Sequence, residues 1–203
     1  MRIEIRENQV LLDGYVNAVD RESRVLPSPK GRFVEKIVPK TFERALQKAS
    51  DVELRFNHNK NRKLGSIKEG NLELYEDNIG LRAIAKVSDD EIIQKAQNGE
   101  LRGWSFGFIS NKDRWEDGEN GIQRRFIEDL DLLEVSILDK TPAYIATSIE
   151  SRGEEEAISE TRGADFKAKI EDFTKEEQEE KRENVVYSLY EKEIEFLKLK
   201  GGK

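Results

Sequence analysis

Apolar and polar residues alternate in short stretches through the first two thirds of the chain. Ile3 and Ile5, then Val10, Leu12, Tyr15 and Val16, predict two strands in a hairpin-like start. Gly14 inside the second predicts a bulge or close packing. Arg21 to Gly31, with Pro27 and Pro29, reads as a loop free to order on binding. Phe33 to Val38 is a predicted strand. Pro39 then opens a predicted helix with Thr41 as its N-cap and Phe42, Ala45, Leu46 and Ala49 on one face. Val52 to Phe56, Leu64 to Ile67, Asn71 to Tyr75 and Ile79 to Val87 are further predicted strands, with turn residues at Gly70-Asn71 and Asn78 to Gly80. Ser88 is the expected cap of a second helix, with Ile92, Ile93 and Ala96 facing inward and Gly99 ending it. A strand around Ser105 follows, then a polar hairpin loop from Asp113 to Gly121. Gln123 to Leu138 is a long β-like run broken once, and Thr141-Pro142-Ala143-Tyr144 closes the ordered domain.

About eight turn-linked strands and two helices predict a mainly β fold with helices (α+β), arranged as a small closed antiparallel β-barrel surrounded by a few helices. The pattern changes after residue 149. Residues 151 to 203 hold 11 Lys or Arg against 15 Asp or Glu. Residues 150–173 read as a flexible linker. Residues 174–203 read as a charged C-terminal helical tail, capped at Thr174, with Val185, Val186, Leu189, Tyr190, Ile194, Phe196, Leu197 and Leu199 on a broad apolar face. That face fits docking on the chain's own barrel, disorder, or pairing with a partner helix.

Composition narrows the chemistry. The 203 residues are 36% hydrophobic and 38% charged, so the apolar content must be concentrated in the first part. There is no cysteine, which excludes disulfides, thiolate catalysis and Cys-ligated zinc. A single histidine argues against any zinc site and leaves only a carboxylate site for Mg or Ca; no cofactor is expected. The net charge of −7 argues against a general nucleic-acid partner. No apolar run approaches a membrane span, and Met1-Arg-Ile-Glu-Ile-Arg lacks a signal-peptide core, so a soluble intracellular protein is expected.

Two positions stand out. Ser105 lies between Gly103 and Gly107 in the β-like run Leu-Arg-Gly-Trp-Ser-Phe-Gly-Phe-Ile. Two interior glycines fit a bulge or tight bend, or the close approach of a backbone or substrate that a Cβ would block. His58 is the only histidine, so any histidine-dependent chemistry falls to it. It follows a predicted strand and precedes a polar cluster, which places it at a strand end, where catalytic groups are commonly held.

Taken in order, Pro39-Lys-Thr-Phe-Glu-Arg-Ala-Leu, Phe56-Asn57-His58, Leu64-Gly65, Gly80-Leu81, Gly103-Trp-Ser105-Phe-Gly107-Phe, Leu133-Glu134-Val135-Ser136 and Thr141-Pro142-Ala143 resemble the prohead (capsid-maturation) serine proteases of tailed bacteriophages. The resemblance runs from about Val10 to Thr147 and rests on the ordered set rather than on any one motif. It implies a protease domain over residues 1–149, similar in fold to the herpesvirus assemblins. It carries three roles onto this chain: Ser105 as nucleophile, His58 as general base and Glu134 as the orienting carboxylate. Glu134 interrupts an apolar run, where a carboxylate must be paired or face a groove; Asp131 and Asp139 are the alternatives. Amides after Leu138 are the expected oxyanion hole.

The resemblance further implies cleavage of scaffold or major capsid protein, and of the protease itself, inside the immature prohead in the host cytoplasm, from a phage or prophage gene. Its fold relatives imply a homodimer, and no membrane is implied. The alternative reading is a non-catalytic scaffold or capsid-interacting module. The basic cluster Arg55, Lys60, Arg62 and Lys63 fits either contact with an acidic substrate or a solvated loop.

Overall fold

The alternating residues Ile3, Ile5, Val10 and Leu12 fold as a hairpin of β1 (Arg2–Arg6) and β2 (Gln9–Ala18), with all four side chains buried. The computed structural model describes residues 1–28, 31–139, 159–165 and 169–172. The expected closing segment at Thr141 to Tyr144 and the expected tail helix over 174–203 lie outside the described residues.

Two sheets form. One runs β12 (Lys169–Asp172), β1, β2, β8 (Gly80–Val87), β7 (Leu72–Glu76). The other runs β11 (Ser159–Asp165), β9 (Gly103–Glu116), β10 (Ile122–Leu138), β4 (Gly31–Ile37), β3 (Leu26–Ser28). β5 (Glu53–Phe56) also pairs with β10 and carries β6 (Lys63–Ser66) on its far side. With α1 (Thr41–Lys48) and α2 (Asp90–Gln97), the architecture is mainly β with two helices among the described residues. A single buried cluster draws on both sheets and both helices, including Ile5, Leu12, Ala85, Trp104, Phe106, Val135, Phe42 and Ile92. Each large side chain in it contributes roughly 1.5–3 kcal/mol.

The sheets differ from the antiparallel expectation. β10 runs parallel to β4 over Ile122–Ile127 and parallel to β5 over Glu134–Ile137, and β1 runs parallel to β12. Among the described residues no ladder joins the two sheets into a barrel. The reason lies in α1, which carries the chain from β4 to β5 along one edge of β10, so both strands point the same way. Where β10 changes partner, Ile127 O still accepts from the Val38 amide at 3.0 Å, and the start of α1 meets the carbonyls there. The Thr41 hydroxyl donates to the carbonyls of Ile127 and Glu128, and Arg44 Nη2 donates to Glu128 O at 2.6 Å. Thr41 is therefore the first helical residue rather than the N-cap. Lys40 holds that position in a left-handed conformation (φ 72°), and the Glu76 carboxylate accepts from the Lys40 and Glu43 amides.

Three other local expectations change. The loop expected from Arg21 to Gly31 contains β3, which pairs with β4. β9 takes the first four residues of the expected Asp113 to Gly121 loop, a short 3-10 turn (Glu119–Gly121) ends it, and β10 is continuous with register shifts rather than broken. β11 and β12 fall inside the segment read as linker, pairing with β9 and β1. The close-packing option for Gly14 holds: a Cβ there would meet Trp104 Nε1 at 3.0 Å.

Asp89, not Ser88, caps α2, accepting from the Ile92 amide and pairing with Arg62 at 3.0 Å. Gly99, at φ 67°, ends the helix as expected. Burial alone would raise the Asp89 carboxyl, but the Arg62 guanidinium and the Ile92 amide outweigh it and hold it below the usual carboxylate range. A depressed folded-state value means full stabilisation at neutral pH and loss as pH falls through that value. Asp89→Ala is expected to cost about 1–2 kcal/mol at pH 7, with a smaller difference from the parent near pH 3, measured by urea denaturation at both.

Candidate active site

The run Trp104 to Phe108 alternates large and small side chains, and the strand sorts them by face. Trp104, Phe106 and Phe108 are all buried in the core. Phe106 stacks on Phe108 at 5.2 Å and meets Phe42 edge-on at 5.3 Å. Ser105 and Gly107 therefore share the opposite face. On β10 the same alternation puts Val135 and Ile137 in the core and Glu134 and Ser136 on the face of Ser105. Register aligns them: Ser136 opposes Ser105, and Glu134 opposes Gly107. On the other side of β10, Arg55 opposes Ser136 and Glu53 opposes Glu134.

Gly107 makes room for a side chain from the neighbouring strand. A Cβ there would lie 2.6 Å from Glu134 Oε1. The carboxylate leans over β9, and only glycine leaves space for it. Both sequence readings of this glycine have a counterpart: the β9–β10 ladder shifts register between Leu132 and Glu134, opposite Phe108 and Gly107, and the close approach is made by the Glu134 side chain rather than by a backbone or substrate.

His58 stands two residues past the end of β5, at the strand end expected from the sequence. Asn57 and His58 both take left-handed backbone, φ 52° and 58°. Such geometry costs roughly 1–3 kcal/mol per residue and persists only where its surroundings enforce it. Here the Asn57 amide donates to Ile137 O at 2.9 Å, its side chain donates to Asp139 at 2.9 Å, and the His58 amide donates to Ser136 Oγ at 3.1 Å. The turn folds the imidazole back over β10. His58 Nδ1 lies 2.6 Å from Glu134 Oε1. The other carboxylate oxygen accepts from the Ser136 hydroxyl at 2.6 Å.

Glu134 is 3% exposed and Ser136 fully buried, so a carboxylate out of water has both oxygens hydrogen-bonded, as burial requires. When Glu134 is ionised it only accepts, so Nδ1 is then the donor of the pair and Nε2 the basic nitrogen. Ser136 spends its proton on Glu134 and its oxygen on the His58 amide. Ser105 is 1% exposed.

The three residues singled out from sequence thus come together around β10: His58 touches Glu134, and Ser105 lies one strand over on the same face. The alternative carboxylates do not take His58. Asp131 pairs with Lys48 at 3.3 Å, and Asp139 with Lys95 at 2.9 Å and with Asn57. Sequence reasoning assigns Ser136 no role of its own; its signal is its i+2 spacing from Glu134, which puts both on one face. Three residues of the basic cluster are occupied locally. Arg62 pairs with Asp89 and Glu91, Lys63 with Glu69, and Arg55 with Glu53. The expected oxyanion-hole segment lies outside the described residues from Lys140 onward. Among the described residues no group of three or more acidic or histidine side chains is placed to hold a metal ion, and no helix is long and apolar enough to cross a membrane.

Residues 1–162 match the family model described as caudovirus prohead serine protease. None of the curated proteins compared with the chain matches it.

Proposed function

The chain belongs to the caudovirus prohead serine proteases, and from that membership we propose that Ser105, His58 and Glu134 are its nucleophile, general base and orienting carboxylate. The observation carrying the reading is the 2.6 Å contact of His58 Nδ1 with a buried Glu134 that shares a face with Ser105. Serine is a weak nucleophile until a base takes its proton. With Nδ1–H donated to Glu134, Nε2 accepts the Ser105 proton as Oγ attacks the peptide carbonyl. The resulting imidazolium is stabilised by the Glu134 carboxylate and gives that proton to the leaving amine as the C–N bond breaks. Water, deprotonated by the same Nε2, then releases the acyl group and restores Ser105.

The substrates proposed are scaffold protein or the scaffold-like segment of the major capsid protein, cut inside the immature shell in the host cytoplasm. The two sheets over one core are read as the wall of the small barrel that the family resemblance implies. The test is co-expression with the capsid and scaffold proteins of the same phage, read by intact mass. Shortened capsid or scaffold protein, with no shortening by a His58→Ala variant, supports the reading. Intact chains that nevertheless assemble together would favour a non-catalytic capsid module.

A further inference from the structure

β9 has two edges. β10 takes one. β11 takes the other, antiparallel, in a ladder of seven residue pairs from Ser159↔Ile109 to Asp165↔Gly103. Gly163 sits directly across from Ser105, and Thr161 across from Gly107. The strand bearing the proposed nucleophile is therefore flanked on both sides, and Ser105 is 1% exposed. A nucleophile that attacks a polypeptide must be reachable by one. β10 cannot leave, because it carries Glu134 and Ser136 and runs through the core. The β11 edge is the side that can open.

A strand edge offers unpaired N–H and C=O groups to an extended chain, whatever its side chains, which is the backbone mode of peptide recognition. The sequence of β11, Ser-Glu-Thr-Arg-Gly-Ala-Asp, is poor in the β-branched and aromatic residues that favour strands and has a glycine inside. A segment of such low strand propensity yields to a better strand. We propose that the outer edge of β9, Gly103–Ile109, is the polypeptide-binding edge of the enzyme. An extended substrate segment adds there as an antiparallel strand, and residues 159–165 occupy the same edge in cis as a displaceable competitor. The inference rests on Ser105 being the nucleophile. A tethered competitor acts at an effective concentration on the order of mM, so dilute substrate is excluded and densely packed substrate is cut.

The chain has no cysteine, so one introduced pair gives one bond. Ile109→Cys with Ser159→Cys joins two facing residues of β9 and β11 in the full-length chain. The readout is the rate at which a fluorophosphonate labels Ser105, located by mass. Oxidation is expected to suppress labelling by about tenfold or more, as the open fraction is removed, and reduction to restore it. Arg162→Pro with Gly163→Pro is the opposite variant. The residues are adjacent, so one of the two prolines removes an N–H that faces β9. This variant is expected to label about tenfold faster than the parent, and added peptide of residues 159–165 to slow it again.

Equal labelling of the oxidised, reduced and parent forms overturns the edge proposal while leaving Ser105 as the nucleophile. Absence of labelling at Ser105 in every form, with the chain folded, overturns both. The reversible bond keeps the test decisive even where the proline variant fails to fold.

Discussion

Ser105→Ala is expected to lower kcat/KM for cleavage of capsid or scaffold polypeptide by about 10⁴–10⁶-fold. Alanine removes the hydroxyl that attacks the peptide carbonyl, so the loss falls on the chemical step. Ser136→Ala is the informative contrast. Ser136 also lies beside Glu134, but its hydroxyl donates to Oε2 at 2.6 Å and its oxygen accepts the His58 amide at 3.1 Å. Removing it leaves a buried carboxylate oxygen and a strained turn short of partners. A stability loss of about 1–3 kcal/mol is expected, with a rate loss of only about ten- to a hundredfold. Steady-state cleavage and thermal unfolding of the two purified variants separate the roles. An inactive Ser136→Ala beside an active Ser105→Ala would transfer the nucleophile to β10 and refute the assignment.

Glu134→Gln is expected to cost about 10⁴-fold in kcat, because the amide presents only one accepting atom and no negative charge to the imidazolium. Gly107→Ala reaches the same carboxylate without substituting any of the three residues. Its Cβ would lie 2.6 Å from Oε1, the oxygen that His58 holds. The carboxylate end can move, but only by leaving His58. A displacement of that kind costs on the order of 10²-fold in kcat, with KM little changed. Full activity in Gly107→Ala would show that the placement of Glu134 over β9 does not matter to the reaction. The two variants together, compared by kcat and KM separately, test charge and position independently.

Several features are legible in the order of residues alone. Alternation of period two marks β1, β2 and β8, because each strand buries one face and local sequence records which one. The helices are legible for the same reason at period 3.6, and Gly99 marks the end of the second because its backbone is left-handed. His58 stands out as the one histidine at a strand end, and Glu134 as a charge inside an apolar run.

What the sequence does not record is who pairs with whom. The caps of both helices shift by one residue from their expected positions: Glu76 reaches α1 from another strand, and Asp89 gains Arg62 as a partner from beyond β5. The parallel pairing of β10 with β4 and β5 follows from the course of α1, not from any strand's own pattern. The meaning of Gly107 depends on a residue 27 positions later in the chain, brought opposite by register alone. The left-handed pair Asn57-His58 is enforced by Ser136, Ile137 and Asp139, and the strand beside Ser105 comes from a segment whose composition reads as linker. By itself, then, the sequence determined most of the elements, their buried faces and the candidate side chains, since these follow from hydrophobicity and side-chain chemistry within a few residues. Only the tertiary structure decided the pairing, the caps and the contacts that aim His58 at Glu134, since these are set between segments far apart in the chain.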